Sequence, residues 1–318
     1  MASCAMTQSK RKVQASRRLL TSRLLVVLAA AIVVFWFLSH TDFMPTGLIS
    51  VGIVCPVQGR LSCITNFVDG HVRKGDIVFL TMVNNDSAPF LENFACHLNQ
   101  IETDARFFVI TESDSVFKIA RNNNMFPVKL ETDQGDISSK SLQFGSSGYK
   151  QYIFTRTEIV GELLKSNHVV VVTDVDAVWL RDPIPHISIH DADLVGQVDN
   201  GRLCGGFLLL NGTREKVVNL WNDVETEYWH QLSNPSTDIG VTEQGILEDY
   251  LQDIKYKDLD IVKLPQRSFP NGKSYFEKEW EFEPPVVVHN NYIIGKAAKV
   301  KRFISRNLWK SCSSKQAA

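Results

Sequence analysis

The 318-residue sequence contains no C-x-x-C pair, no G-x-x-x-x-G-K-[ST] loop, no H-E-x-x-H and no G-x-S-x-G. Those absences exclude a zinc ribbon or thioredoxin-like motif. They also remove the usual support for P-loop hydrolases, zincins and α/β-hydrolases. No internal repeat or low-complexity tract is present, and the 44% hydrophobic and 22% charged content is that of a globular chain. Basic charge is scarce in the body. Lys10, Arg11, Lys12, Arg17, Arg18 and Arg23 lie in the first 23 residues without an acid, leaving 28 basic residues against 35 acidic ones. An acidic body is a poor nucleic-acid binder, because phosphate contacts need clustered Lys and Arg.

The basic start leads into an apolar run, Leu24 to Leu38. Fifteen residues span roughly 22 Å as a helix, short of the hydrocarbon thickness of about 30 Å. Counting from Leu19, with Arg23 snorkelling to the interface, gives about twenty residues. The positive flank orients such a span with its N-terminus cytosolic. No A-x-A cleavage pattern follows the run, so an uncleaved signal anchor is expected rather than a signal peptide. The expected organisation is a cytosolic tail over 1–18, a membrane anchor over 19–39 and a connector over 40–74. A luminal domain over 75–311 and a short tail over 312–318 complete it. Within the connector, the stretch GLISVGIVC is too apolar for a freely solvated stem and is expected to pack in part on the domain.

Beyond the anchor lie Cys55, Cys63, Cys96, Cys204 and Cys312, an odd number. Cys55 and Cys63 are near enough in sequence to bridge, but spacing alone does not fix the pairing. Two sequons, at Asn85 and Asn211, suit a luminal chain.

From Asp76 onward, apolar runs alternate with helical stripes. DIVFLTMV and ARFFVIT read as strands, each followed by a helix. HVVVVT is apolar on both faces, as a buried parallel strand requires. Later segments read as strands DLVGQV, GFLLLN, DIVKLP and VVVHN, with helices near 149–165, after Thr213, at 242–251 and near 297–309. The alternation predicts one α/β domain with a mostly parallel sheet.

Four segments carry chemistry. In HVVVVTDVDAVWLRDP, Asp174 and Asp176 leave the carboxyl end of a buried strand, where ligands of open α/β sheets gather. Two carboxylates there can converge on a hard divalent cation. The same D-x-D spacing recurs at Asp191/Asp193 and Asp258/Asp260 without a preceding buried strand, and these read as solvated turns. In VVVHNNYIIGK, His289 reads as an edge residue or as the nitrogen ligand of a manganese-type O/O/N set. Gly295, Lys296 and Lys299 beyond it suit close approach to a phosphate. Gly205 and Gly206 in LCGGFLLLN read as a turn or as room for a sugar. Thr242 suits an N-cap, with Glu243 and Gln244 in the first helical turn, where the helix dipole alone accounts for the acid.

TDVDAVWLRDP, CGGFLLLN, TEQGIL and VVHNNYIIGKAAKVKRF together, in that order, resemble the nucleotide-diphospho-sugar transferase domain of glycosyltransferase family 77. That family includes plant rhamnogalacturonan-II xylosyltransferases. The resemblance covers roughly residues 75–310. It implies a GT-A-like single domain, a UDP-sugar donor, a glycan or glycoprotein acceptor, retention of anomeric configuration and a Golgi type II anchor. It also implies Mn2+, or another divalent cation such as Mg2+, held by Asp174, Asp176 and His289. Gly295 with Lys296 or Lys299 would contact the diphosphate. Glu243 and Gln244 would face the donor sugar, with Arg156, Gly205 and Gly206 beside the donor. A membrane-anchored binding protein of the same fold without turnover is the alternative.

Overall fold

The computed structural model describes residues 51–132, 142, 145–188, 191–234, 242–278 and 280–312. The expected tail and anchor, 1–39, lie outside the described residues. Among the described residues no helix is long and apolar enough to cross a membrane.

In chain order the elements are β1 (Ile53–Cys55), α1 (Arg60–Asp69), β2 (Ile77–Met82), α2 (Ala88–Leu98), β3 (Phe107–Thr111), α3 (Asp114–Asn122) and β4 (Phe126–Leu130). Next come α4 (Ser147–Lys165), β5 (Val169–Thr173), β6 (Ala177–Trp179), α5 (Ile184–Ile187), β7 (Leu194–Asp199) and β8 (Arg202–Asn211). The remainder is α6 (Glu215–Ser233), α7 (Glu243–Leu251), β9 (Ile261–Lys263), α8 (Gly272–Phe276), β10 (Val287–His289) and α9 (Lys296–Ser305).

Eight strands form one sheet in the order β1-β4-β3-β2-β5-β8-β7-β9. Every pairing is parallel except the two made by β8, which runs against β5 and β7. The mostly parallel α/β layout expected of a GT-A-like domain is therefore present. Alternate strand residues serve opposite faces, as the pleat demands. Val78, Leu80, Phe108, Ile110, Val170 and Val172 pack with α1, α4, α6 and α7. Phe79, Phe107, Val109 and Val171 pack on the other side with α2, α3 and Trp179 of β6. Removing such side chains from water supplies roughly 1.5–3 kcal/mol each, the main drive for stacking these layers.

Side-chain caps set several helix starts. Ser113, Ser146 and Thr242 accept backbone N–H bonds at the starts of α3, α4 and α7. The expected N-cap at Thr242 is observed.

The expected connector boundary is corrected. Cys55 sits in β1, which extends the sheet beyond β4, and Ile64 and Val68 of α1 are fully buried in the core. Residues from Ile53 therefore belong to the domain rather than to a stem. A Cys55–Cys63 disulfide joins β1 to α1, and Cys96–Cys312 joins α2 to the end of the chain. Cys204 is the odd cysteine, free and buried. The terminal helix also stops earlier than its pattern suggests. Asn307 adopts positive φ of 56°, and the chain then runs back over α2. There Leu308 accepts from His97 Nε2 at 2.9 Å, and Lys310 N–H donates to Asn93 Oδ1 at 2.6 Å.

Candidate active site

Asp174 and Asp176 follow directly on β5, and a backbone bond from Ala177 N–H to Asp174 O, 3.0 Å, closes the turn. The chain then enters β6, which pairs antiparallel with β10 in a separate two-stranded sheet. In that register Ala177 faces His289. This pairing explains how an imidazole more than 100 residues downstream reaches the carboxylates. His289 Nε2 lies 3.7 Å from Asp174 Oδ2 and 3.6 Å from Asp176 Oδ1. One ligand atom from each of the three residues lies within 4.8 Å of the others.

Glycines admit this convergence. A Cβ on Gly206 would stand 2.3 Å from His289 Cε1 and 2.7 Å from Asp174 Oδ2. Only a residue without a side chain leaves that space. Gly205 is less crowded: a Cβ there would stand 3.2 Å from Glu243 Oε1, and its N–H donates to Gln244 Oε1 at 2.9 Å. The glycine pair thus makes room for protein groups around the cluster.

Arg156, reaching from α4, donates from Nη1 to Asp174 Oδ1 at 3.0 Å and from Nη2 to Glu243 Oε1. Burial alone would lower the Arg156 pKa, but Glu243 and Asp174 raise it further above its ordinary value. Glu243 is therefore a buried, ion-paired carboxylate at the start of α7, 6% exposed. Lys299 of α9 donates to Asp176 Oδ2 at 2.5 Å, and Lys296 pairs with Asp86 at 2.9 Å. Burial raises the Asp176 pKa, but Lys299 and His289 outweigh it and hold the carboxyl well below the usual range. Burial lowers the His289 pKa, whereas Cys204 and Asp176 raise it, and the raising effects win. Gly295 caps α9 with φ of 94°, a backbone shape that favours glycine.

Of the expected catalytic, donor-binding and cation-binding residues, all except Gly295 and Lys296, which pairs with Asp86 instead, enter this contact network. The other two D-x-D pairs do not. Asp191 pairs with Arg214 at the surface, Asp258 with Lys216, and Asp193 Oδ2 accepts from Asp260 N–H. Asn85 is exposed, and Asn211 is half-buried with its Nδ2 donating to Ala192 O at 3.2 Å.

Four further residues belong to the site. Cys204 Sγ and Gln197 Oε1 both lie beside His289 Nδ1, at 3.4 and 3.1 Å. The signals in the sequence were an odd cysteine count, which did not single out Cys204, and a lone glutamine inside the apolar run DLVGQV. Tyr149 and Tyr152 stand two turns and one turn before Arg156 on α4. Burial raises both phenol pKa values, and the negative charge of Asp174 raises them further. Their spacing of three and four residues from one another and from Arg156 was the available clue.

The donor set fits a divalent cation. Two carboxylates and one imidazole suit manganese or magnesium better than a thiolate-rich zinc site. The missing Cβ of Gly206 is what lets His289 and Asp174 converge there.

An open, mostly parallel sheet with an acidic, imidazole-bearing cluster at its strand ends and lysines on a following helix defines an α/β protein with a candidate ligand site where such sheets carry theirs. A family model described as nucleotide-diphospho-sugar transferase matches residues 103–303. The chain belongs to that family, whose members are nucleotide-sugar glycosyltransferases. It is 26% identical over 266 residues to a UDP-D-xylose:L-fucose α-1,3-D-xylosyltransferase of Arabidopsis thaliana, covering 75% of this chain and 71% of that one. It is also 26% identical to a UDP-galactose:fucoside α-3-galactosyltransferase of Dictyostelium discoideum over 222 residues, 63% of this chain. That alignment spans only 34% of the Dictyostelium protein. Among solved structures, the galactosyltransferase LgtC in complex with donor and acceptor sugar analogs is similar over 74% of this chain and 95% of that one. The TM-score is 0.48 at 15% identity.

Proposed function

We propose that the chain transfers a sugar from a UDP-sugar to the hydroxyl of a glycan or glycoprotein, with a divalent cation at Asp174, Asp176 and His289. The convergence of these three residues beside Lys299 carries this reading. A fucose-bearing acceptor, with xylose or galactose as the donor sugar, is the substrate class favoured by the relatives named above.

Sugar transfer breaks the bond between the anomeric carbon and the diphosphate oxygen, so negative charge develops on the departing diphosphate. A cation held by the two carboxylates and the imidazole supplies Lewis-acid stabilisation of that charge. Lys299, half-buried against Asp176, and Lys296 at the first position of α9 supply positive charge from the protein. The amino end of α9 adds the favourable end of a helix dipole. Positioned charges of this kind act most strongly where water is excluded.

Retention requires that the new bond form on the face from which the diphosphate leaves, or that a protein carboxylate attack first. Glu243 is engaged by Arg156 and so is poorly available as a nucleophile. The favoured path is attack by the acceptor hydroxyl on the departing side. Its proton passes to the leaving diphosphate oxygen, which balances the exchange. Glu243 and Arg156 then shape and charge the donor-sugar side, while Gln244 fixes the Gly205 backbone.

A Golgi, single-pass type II placement with a luminal domain accompanies this proposal. Supporting it are the basic flank before the apolar run, two disulfides suited to an oxidising compartment, and an exposed sequon at Asn85. Incubation of the purified domain with UDP-xylose or UDP-galactose, an L-fucoside and Mn2+ tests the activity. Fucoside-dependent product supports it, and release of free sugar alone would recast the chain as a hydrolase.

A further inference from the structure

We infer that Gln197 fixes the ring tautomer of His289, so that Nδ1 carries the proton and Nε2 presents its lone pair to the cation; this rests on the proposed cation site.

Gln197 lies in β7, fully buried, where pairing with β8 slips. Gly196 faces Leu208 and Val198 faces Leu203, so Gln197 alone stands against the four residues Cys204 to Phe207. Such irregularities re-aim side chains beside functional sites. Here the stretch displaced from β7 contains the Gly205-Gly206 pair, and Asp174 N–H still bonds Gly206 O at 2.9 Å. β8 therefore stays with β5 while parting from β7, and His289 meets Gln197 at that parting.

The orientation of the Gln197 amide is decided by its surroundings. Its Nε2 donates to Phe269 O at 3.0 Å and to Pro270 O at 2.7 Å. Both partners are backbone carbonyls, which can only accept. Turning the amide over would aim its oxygen at two carbonyl oxygens and leave a buried NH2 facing the ring, a costly exchange. With both amide protons engaged, Oε1 is left as a pure acceptor, 3.1 Å from His289 Nδ1. The matching group is an Nδ1–H donor. His289 Nε2, on the side of Asp174 and Asp176, is then the nitrogen that can bind a cation. An imidazole held through its second nitrogen is oriented before the cation arrives. Cys204, 3.4 Å from the same Nδ1, adds a weak sulfur contact and does not alter this assignment.

Gln197 is thus a positioning residue, and two variants separate this role from packing. Gln197→Glu keeps an acceptor for Nδ1–H but loses the bonds to Phe269 and Pro270. Gln197→Met, of similar length, loses both. Mn2+ affinity, read by electron paramagnetic resonance, should fall about 10–100-fold in Gln197→Met and stay within a few-fold of the unmodified chain in Gln197→Glu. Long-range 1H–15N spectra of the metal-free chain, recorded across pH, should show the neutral His289 ring protonated at Nδ1. Equal losses in both variants would mean that Gln197 merely holds the Phe269–Pro270 backbone, and unchanged affinity in Gln197→Met would equally overturn the inference. A neutral ring protonated at Nε2 would overturn it irrespective of any cation. If Mn2+ binding is missing from the unmodified chain, or survives Asp176→Asn, the cation-site reading itself fails and the inference with it.

Discussion

Arg156 donates to Asp174 at 3.0 Å while its other terminal nitrogen is bonded to Glu243, so one guanidinium joins the strand-end carboxylate to the start of α7. Glu243, proposed to face the donor sugar, and Asp174, proposed to hold the cation, are thereby coupled through a single buried side chain.

Replacing Arg156 by Leu leaves Glu243 as a buried carboxylate without its partner. Removing one member of a buried pair costs about 3–5 kcal/mol. Denaturant titration of Arg156→Leu should show a loss of that order. Glu243→Gln should lose less, because a neutral amide can still accept from the guanidinium.

If Glu243 is not a nucleophile, Glu243→Gln should retain measurable transfer and no glycosyl-enzyme adduct should form. Intact-mass spectrometry during turnover checks both parts. An adduct on Glu243 would establish a covalent intermediate in place of same-face attack.

Gly206→Ala places a methyl group 2.3 Å from His289 Cε1 and 2.7 Å from Asp174 Oδ2. Mn2+ affinity and turnover should fall by at least about 10²-fold, since displacements near 1 Å carry penalties of that size. Gly205→Ala, whose nearest neighbour is 3.2 Å away, should be milder. Comparing Mn2+ titrations of the two variants is the test.

His97 is held at a pKa of about 4, lowered chiefly by burial and opposed by its backbone bond to Leu308. An unfolded histidine titrates near 6.5. Above that pH neither state binds the proton, and the stability due to a neutral His97 is intact. As pH falls from about 6.5 to about 4, the unfolded chain gains a proton that the folded chain refuses, removing up to about 3 kcal/mol. Thermal melts should show this loss, and His97→Gln should flatten it.

The sheet and the acidic pair were legible because long apolar runs such as Val169–Thr173 leave few alternatives, and because Asp174 and Asp176 sit where such a run ends. Two of the three-residue strands were not. Ile53–Cys55 and Ala177–Trp179 are too short for a period to emerge, and only their partners β4 and β10 define them. Gln197 was invisible as a site residue for a related reason. Its role depends on the slipped pairing of β7 with β8 and on carbonyls over 70 residues away. Gly205 and Gly206 were visible as a close-approach signal, although what approaches them here is His289, Asp174, Glu243 and Gln244.

The most direct test is Mn2+-dependent sugar transfer by Asp176→Asn, His289→Ala, their double variant and the surface controls Asp191→Asn and Asp258→Asn. A shared cation predicts losses of about 10² or more in each single variant, with several kcal/mol of charge stabilisation at stake. The double variant should be little worse than either single one, because ligands of one ion act together. The controls should match the unmodified chain. Full Mn2+ dependence and unchanged turnover in His289→Ala would contradict the account.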